Sequence, residues 1–275
     1  EADGLKRGTR IQVFFHISVM TKRKRNRISM LQKLNGDWCR SEQEIEDDLC
    51  QHYRELFTST DPKEFDEVLQ GIPRTISSLM NEQLIKHVDE TEIKQAIFSM
   101  FPNKSPGVDG MSPLFFQTYW NIIKVDIVNA ITRFFHTGNL LRIINETIIS
   151  LIPNVDNPVM LTNFRPISLC TVLYKTISKL LATRLKKVLQ HCISPSQSTF
   201  VPGRQILDNV IIAHEILHFL KSRRTGKVGF MTLKLDMSKA YDRVEWKFLG
   251  RIMMCMGLCP CSMDHGLHFH SFLFF

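Results

Sequence analysis

The segment Lys234–Trp246, KLDMSKAYDRVEW, holds the side chains best suited to chemistry. Just before and into it, GFMTLKLD (Gly229–Asp236) alternates, with Met231, Leu233 and Leu235 on one side and Thr232, Lys234 and Asp236 on the other. A period of two predicts a strand, here ending in a carboxylate. Such a carboxylate can hold Mg²⁺ against substrate phosphates, or can be a strand-end acid with no task. Tyr241 adds a flat aromatic wall five residues on. Asp242 with Glu245 fits a capping box for a helix over Arg243–Cys255.

Two other groupings carry metal-competent side chains. His214–Glu215–Ile216–Leu217–His218 is a literal HExxH, which on a helix puts both histidines on one face, as zinc hydrolases do. No third ligand of matched spacing follows, so a packed amphipathic helix is the preferred reading. Near the end stand Cys255, Cys259, Cys261, His265, His268 and His270, whose spacing fits no standard structural zinc site. An unstructured, sticky tail suits them better.

Charge narrows the class of partner. Among 275 residues, 35 Lys and Arg against 27 Asp and Glu leave +8, which favours a polyanion, nucleic acid first. The surplus concentrates in residues 160–227, where eleven basic side chains face only Asp208 and Glu215. That stretch reads as a folded surface toward phosphates, or as a solvated face. Residues 1–30 are basic too, through Lys22–Arg27, a nuclear address or a nucleic-acid arm, whereas residues 41–70 are acidic. Seven scattered cysteines give no disulfide framework, which points to a reducing compartment. Apolar runs fall short of the ~18 residues of a membrane span, and no secretory signal opens the chain. A nuclear or cytoplasmic location is therefore expected. The first residue is Glu1 rather than Met, as in a fragment.

Elements that could position these groups follow from periodicity. Ile45, Leu49, Tyr53, Leu56 and Phe57 predict an amphipathic helix over 42–58, ended by the turn residues Thr58–Pro62. A second helix spans 90–100, with Asp89 or Thr91 as cap. NKSPGVDG (Asn103–Gly110) is a loop, and a long helix follows over 113–137 to stop at Gly138. Residues 147–153 and 164–169 read as strands, and 172–189 and 206–220 as helices. The mixture is α+β or α/β.

Several runs, in order, resemble the reverse transcriptase region of plant non-LTR (LINE-type) retrotransposons. They are FSMFPNKSPGVDGMSPLFFQTYW (Phe98–Trp120), TIISLIPNV (Thr147–Val155), NFRPISLCTVLYKTISKLLATRLKKVL (Asn163–Leu189), ISPSQSTFVPGRQILDN (Ile193–Asn209) and LKLDMSKAYDRVEW. Upstream, VFFH (Val13–His16) and RNRISMLQKLNGDW (Arg25–Trp38) are similar to the segment that precedes the polymerase in such elements.

The resemblance implies an α+β right-hand polymerase, fingers with a partial palm, behind a mainly helical N-terminal extension. Residues 1–88 would be that extension, 89–258 the fingers and partial palm, and 259–275 an unrelated tail. Asp236 matches the first metal-binding aspartate of the palm. Tyr241 matches the residue that packs under the sugar and selects deoxynucleotides. Arg165 matches a fingers arginine that clamps the incoming triphosphate, a task suited to a planar bidentate donor. Gln197, Phe200, Pro202, Gly203 and Arg204 match the lining of the template and nucleotide pocket. Implied partners are an RNA template, a DNA primer and deoxynucleoside triphosphates, with Mg²⁺ as cofactor, and no specific protein partner.

Two departures qualify this. Asn154 stands where the family's LIPK run has a lysine, and the aromatic–Ala–Asp–Asp hairpin of the second catalytic strand does not follow Leu258. The expectation is a reverse transcriptase domain fragment that does not polymerise, the alternative a non-catalytic nucleic-acid-binding remnant.

Overall fold

The computed structural model describes residues 20, 27–33, 35–62, 65–199, 201–223, 229–237 and 243–258. It mixes many helices with two small antiparallel sheets, and the chain divides into two compact units. Unit 1 comprises residues 1–58 and 147–169, unit 2 residues 59–146 and 170–275.

In unit 1, β1 (Leu31–Gln32) pairs with β2 (Trp38–Cys39) around Gly36, whose φ of 94° lies in the region that glycine tolerates best. Helix α1 (Glu42–Phe57) starts at Ser41 with a capping box: Ser41 Oγ accepts from the Glu44 N–H, and the Glu44 carboxylate accepts from the Ser41 N–H. The predicted helix over 42–58 is thus present almost to the residue. Strands β3 (Ile148–Pro153) and β4 (Phe164–Leu169) form a six-residue ladder with Ile152 opposite Arg165, as expected of the two apolar runs. Leu31, Cys39, Ile45 and Phe164 make the core of this unit.

Unit 2 is helical among its described residues: α2 (Asp66–Gln70), α3 (Ser78–Ile85), α4 (Glu90–Phe98), α5 (Pro113–Thr118), α6 (Trp120–Thr137), α7 (Arg142–Asn145), α8 (Val172–Cys192), α9 (Ile206–Ser222) and α10 (Trp246–Cys255). Asp89 caps α4, and α6 stops at Gly138 with φ 68°, both as predicted. The single helix expected over 113–137 is two. Tyr119 (φ −98°, ψ 16°) breaks it, and buried Phe116 and Trp120 stand on either side of the bend. The main core joins Ile93 and Ile97 of α4, Ile127, Ile131 and Phe134 of α6, and Val172, Ile177 and Leu180 of α8. Among the described residues α8 also reaches a second core cluster, through Val188, beside Ile76, Leu84, Met253 and Leu258.

The strand expected over 229–236 is not found: residues 229–237 have no regular structure, and Met231 and Leu235 are 86% and 84% exposed. Alternation supplies a face, but a strand also needs a neighbour to satisfy its N–H and C=O groups, and none of the described strands pairs with it. Similarly, α9 forms but buries none of its described residues, although Leu207, Ile211, Leu217 and Phe219 are apolar.

The loop Asn103–Gly110 docks on the start of α8. A Cβ on Gly107 would lie 2.5 Å from the Thr171 nitrogen and 2.6 Å from the Cys170 carbonyl carbon, both rigid backbone. Lys175 Nζ donates to Ser105 O at 2.9 Å on the same side. We predict that Gly107→Ala destabilises the chain by about 1–3 kcal/mol, the range for overpacking a closed site, read as a lowered denaturant midpoint with unchanged slope. Gly110→Ala at the open end of the loop strains only a positive φ of 67° and costs less.

Candidate functional site

Asp236 lies in the exposed segment 229–237 of unit 2, and among the described residues it makes no hydrogen bond or ion pair with the other sequence-predicted site residues. Tyr241 and Phe200 lie outside the described residues, as do Asp242, Lys22–Arg25 and the Cys and His side chains of the tail beyond Leu258. Among the described residues no group of three or more His, Cys, Asp or Glu side chains converges as a metal would require, the HExxH pair of α9 included. A divalent cation needs several oxygen ligands at once. One exposed carboxylate is not a cage, and the described residues do not fit the ion that the family resemblance implies.

Gln197 and Arg204 are brought together. The Arg204 guanidinium donates to the carbonyl oxygens of Ile193, Ser194 and Gln197, and so closes the loop from Ile193 to Arg204 on itself. The exposed Gln197 side chain folds back on the same loop, donating to Thr199 O at 3.2 Å. Buried Ser198 and Val201 and the positive φ of Gly203 complete this compact loop. Its sequence signal was the SPSQSTFVPGR run, and what the run left hidden is that the arginine faces the loop's own carbonyls.

Arg165 belongs to unit 1, on β4, with an exposed side chain and Ile152 as its cross-strand partner. Asn154 extends the same ladder, donating its N–H to Asn163 O at 2.8 Å. A cavity of about 740 Å³ in this unit is lined by Arg27, Arg40, Ile45, Leu49, Ile149 and Leu151, among others, and includes none of the predicted site residues.

The basic stretch is sorted by the fold. Arg184 is 6% exposed and is spent inside unit 2; Lys175 and Lys179 reach the carbonyls of Ser105 and Ser99; Arg223 lies over the rings of Phe219 and Phe230. Burial, with Lys104 nearby, pulls the Lys175 ammonium below its ordinary range, although Cys170 opposes this. Arg165, Lys186, Lys187 and Lys221 stay exposed and available to an anion. Spacing could not have told the two groups apart, because the distinction rests on which carbonyls lie within reach.

Residues 152–273 match the reverse transcriptase (RNA-dependent DNA polymerase) family, and by homology this span is a reverse transcriptase domain. The matched span continues through most of the tail after Leu258. The chain is 35% identical over 247 residues to the uncharacterized 149 kDa protein of transposon TX1 from Xenopus laevis, covering 89% of this chain and 18% of that protein. It is 29% identical over 195 residues to the retrovirus-related Pol polyprotein of the type-2 retrotransposable element R2DM from Drosophila melanogaster, covering 70% of this chain and 17% of that one. A third relative, the Pol polyprotein of the type-1 retrotransposable element R2 from Popillia japonica, is 24% identical over 171 residues. The domain is thus homologous to those of non-LTR retrotransposon proteins, and the chain spans about a fifth of the length of these curated relatives.

Arg204→Ala removes the guanidinium hydrogen bonds to Ile193, Ser194 and Gln197 that draw the 193–204 loop together. We expect faster proteolytic cleavage within that loop and a loss of about 1–2 kcal/mol in global stability, the range for hydrogen bonds from a charged donor at a half-buried site. Equal cleavage rates in the two chains would show that the clamp is dispensable.

Proposed function

We propose that this chain is the fingers and partial palm of an RNA-directed DNA polymerase from a plant LINE-type element. The observation that carries the reading is the homology of residues 152–273 to the reverse transcriptase family, with Asp236 in the segment KLDMSKAYDRVEW. Its substrates would be an RNA template, a DNA primer and deoxynucleoside triphosphates. Asp236 would be a metal-binding carboxylate, Tyr241 the wall under the sugar, and Arg165 the triphosphate clamp, while Gln197, Phe200 and Arg204 would line the template and nucleotide pocket. No helix among the described residues is long and apolar enough to cross a membrane. Work in the nucleus or cytoplasm, where such substrates occur, is part of the proposal.

Chemistry on a phosphoryl group by two metal ions needs several carboxylates around ions ~3.5–4 Å apart. The isolation of exposed Asp236 among the described residues favours a second reading for the 275-residue polypeptide taken by itself: nucleic-acid binding without synthesis. We expect no template-dependent incorporation by this polypeptide with Mg²⁺ or Mn²⁺. Primer extension on an RNA template separates the two readings, and activity abolished by Asp236→Ala would establish synthesis.

Binding itself should be weak and independent of sequence, and log affinity should fall linearly with log salt as phosphates displace counterions. Replacing Lys186 and Lys187 together by Ala should reduce the magnitude of that slope by about 1 to 2, since each lysine meets about one phosphate. Lys175→Ala, whose cation is engaged with a carbonyl, should leave the slope alone. A filter-binding series on RNA and DNA oligonucleotides measures both, and absence of binding at low salt would sink the proposal.

A further inference from the structure

Helix α10 follows the Asp236 segment and is fastened along its length by a stretch of chain some 185 residues earlier. At its start, the Glu245 carboxylate accepts from the Ser59 hydroxyl at 2.5 Å, and from the Thr60 N–H and hydroxyl at 3.3 and 3.2 Å. Lys247 pairs with Asp61, and Arg251 with Asp66 at 2.8 Å. Phe248 packs on Phe65 with centroids 5.0 Å apart. At its end, Met256 O accepts from the N–H groups of Thr75 and Ile76, and Gly257 O accepts from Asn81 Nδ2 at 2.8 Å. Gly257 sits so close that a Cβ would meet Ile76 O at 2.8 Å.

These donors do not belong to the matched span, which starts at residue 152. Nor does α10 hold itself: its first turn has no side-chain cap hydrogen bond, because Glu245 is turned toward Ser59 and Thr60 instead of closing a capping box. Each exposed pair alone is worth little, but three donors on one carboxylate, two ion pairs, a ring contact and a closed C-terminus act on one ten-residue helix.

We propose that Ser59–Asn81 is a brace integral to the reverse transcriptase domain, and that Glu245 is its positioning residue, fixing the start of α10 and with it the downstream end of the segment that carries Asp236. The proposal rests on the polymerase reading for its purpose, although the brace can be tested without nucleic acid. With Glu245 held, the nine residues from Asp236 keep that carboxylate within ~30 Å of a fixed point. The effect on Asp236 is therefore to confine its segment, and ordering it further is left to whatever pairs with residues 229–236.

Hydrogen exchange on the 275-residue chain tests the brace, comparing it with Glu245→Gln, the Ser59→Ala/Thr60→Ala pair, Lys247→Asp, and Lys247→Asp combined with Asp61→Lys. The amides of 246–258 should exchange about tenfold faster in the first three variants, the scale of losing charge-assisted hydrogen bonds. Those of α6 and α8 should not change, and the swapped pair should return to the parent rate. Trp246, adjacent to Glu245, supplies a second readout through the difference in emission between the chain and Trp246→Phe. The Ser59 hydroxyl, helped by Thr60, holds the Glu245 carboxyl below the usual carboxylate range. Glu245's share of the brace is therefore fully present above the ordinary glutamate pKa and is lost as pH falls through the lowered one, so the Trp246 difference signal should titrate there and not in Glu245→Gln. A uniform rise in exchange, no rise in α10, or no recovery on charge swapping would overturn the brace, whether or not the chain binds nucleic acid or extends a primer. Failure of binding and extension with the brace intact would overturn the polymerase reading alone.

Discussion

One buried cation organises unit 2. Arg184, on the main-core helix α8, donates two hydrogen bonds to the Glu92 carboxylate at 3.1 and 2.9 Å, and others to the carbonyl oxygens of Leu84, Lys86 and His87. Its guanidinium also lies 5.4 Å from the ring centre of Phe135 on α6. Burying a charge is costly unless its donors are satisfied, and this arginine uses the planar fork that lysine lacks. Through it, the end of α3, the turn into α4 and the side of α6 are referred to α8. The hydrophobic contacts of the core say that these helices adhere; the arginine says in which register.

The same economy explains why a basic sequence does not give an equally basic surface. Arg184, Arg204, Lys175 and Lys179 answer backbone carbonyls that loops and helix ends leave without helical partners. What remains for a polyanion is the exposed subset, on α8, α9 and β4. Charge counting therefore overstates how many cations the described surface offers to an anion.

Legibility in the sequence followed the range of the interactions. Helices α1, α4, α8 and α9 and the ladder β3–β4 were readable because periodicity, caps such as Ser41 and Asp89, and β-branched runs are local signals. Gly138 was readable for the same reason. The break at Tyr119, the inward turn of Arg204 and the union of Glu245 with Ser59 were not, since each depends on partners that spacing does not reveal. The segment 229–236 shows the converse failure: a clear pattern of two, without a neighbour among the described strands to make it a strand. Asp236 was picked out by its motif, and its surroundings are where local reasoning stops.

A double-mutant cycle on Arg184 and Glu92 tests the organising role most directly. Arg184→Met and Glu92→Leu, alone and together, would be compared by denaturant unfolding of the whole chain. If the pair sets the register of α3 and α4 on α8, each single change costs about 3 kcal/mol and the double change costs well below the sum, a coupling of about 2 kcal/mol or more. Additive losses, with coupling under about 0.5 kcal/mol, would mean that the apolar core alone holds these helices and that Arg184 is incidental to it.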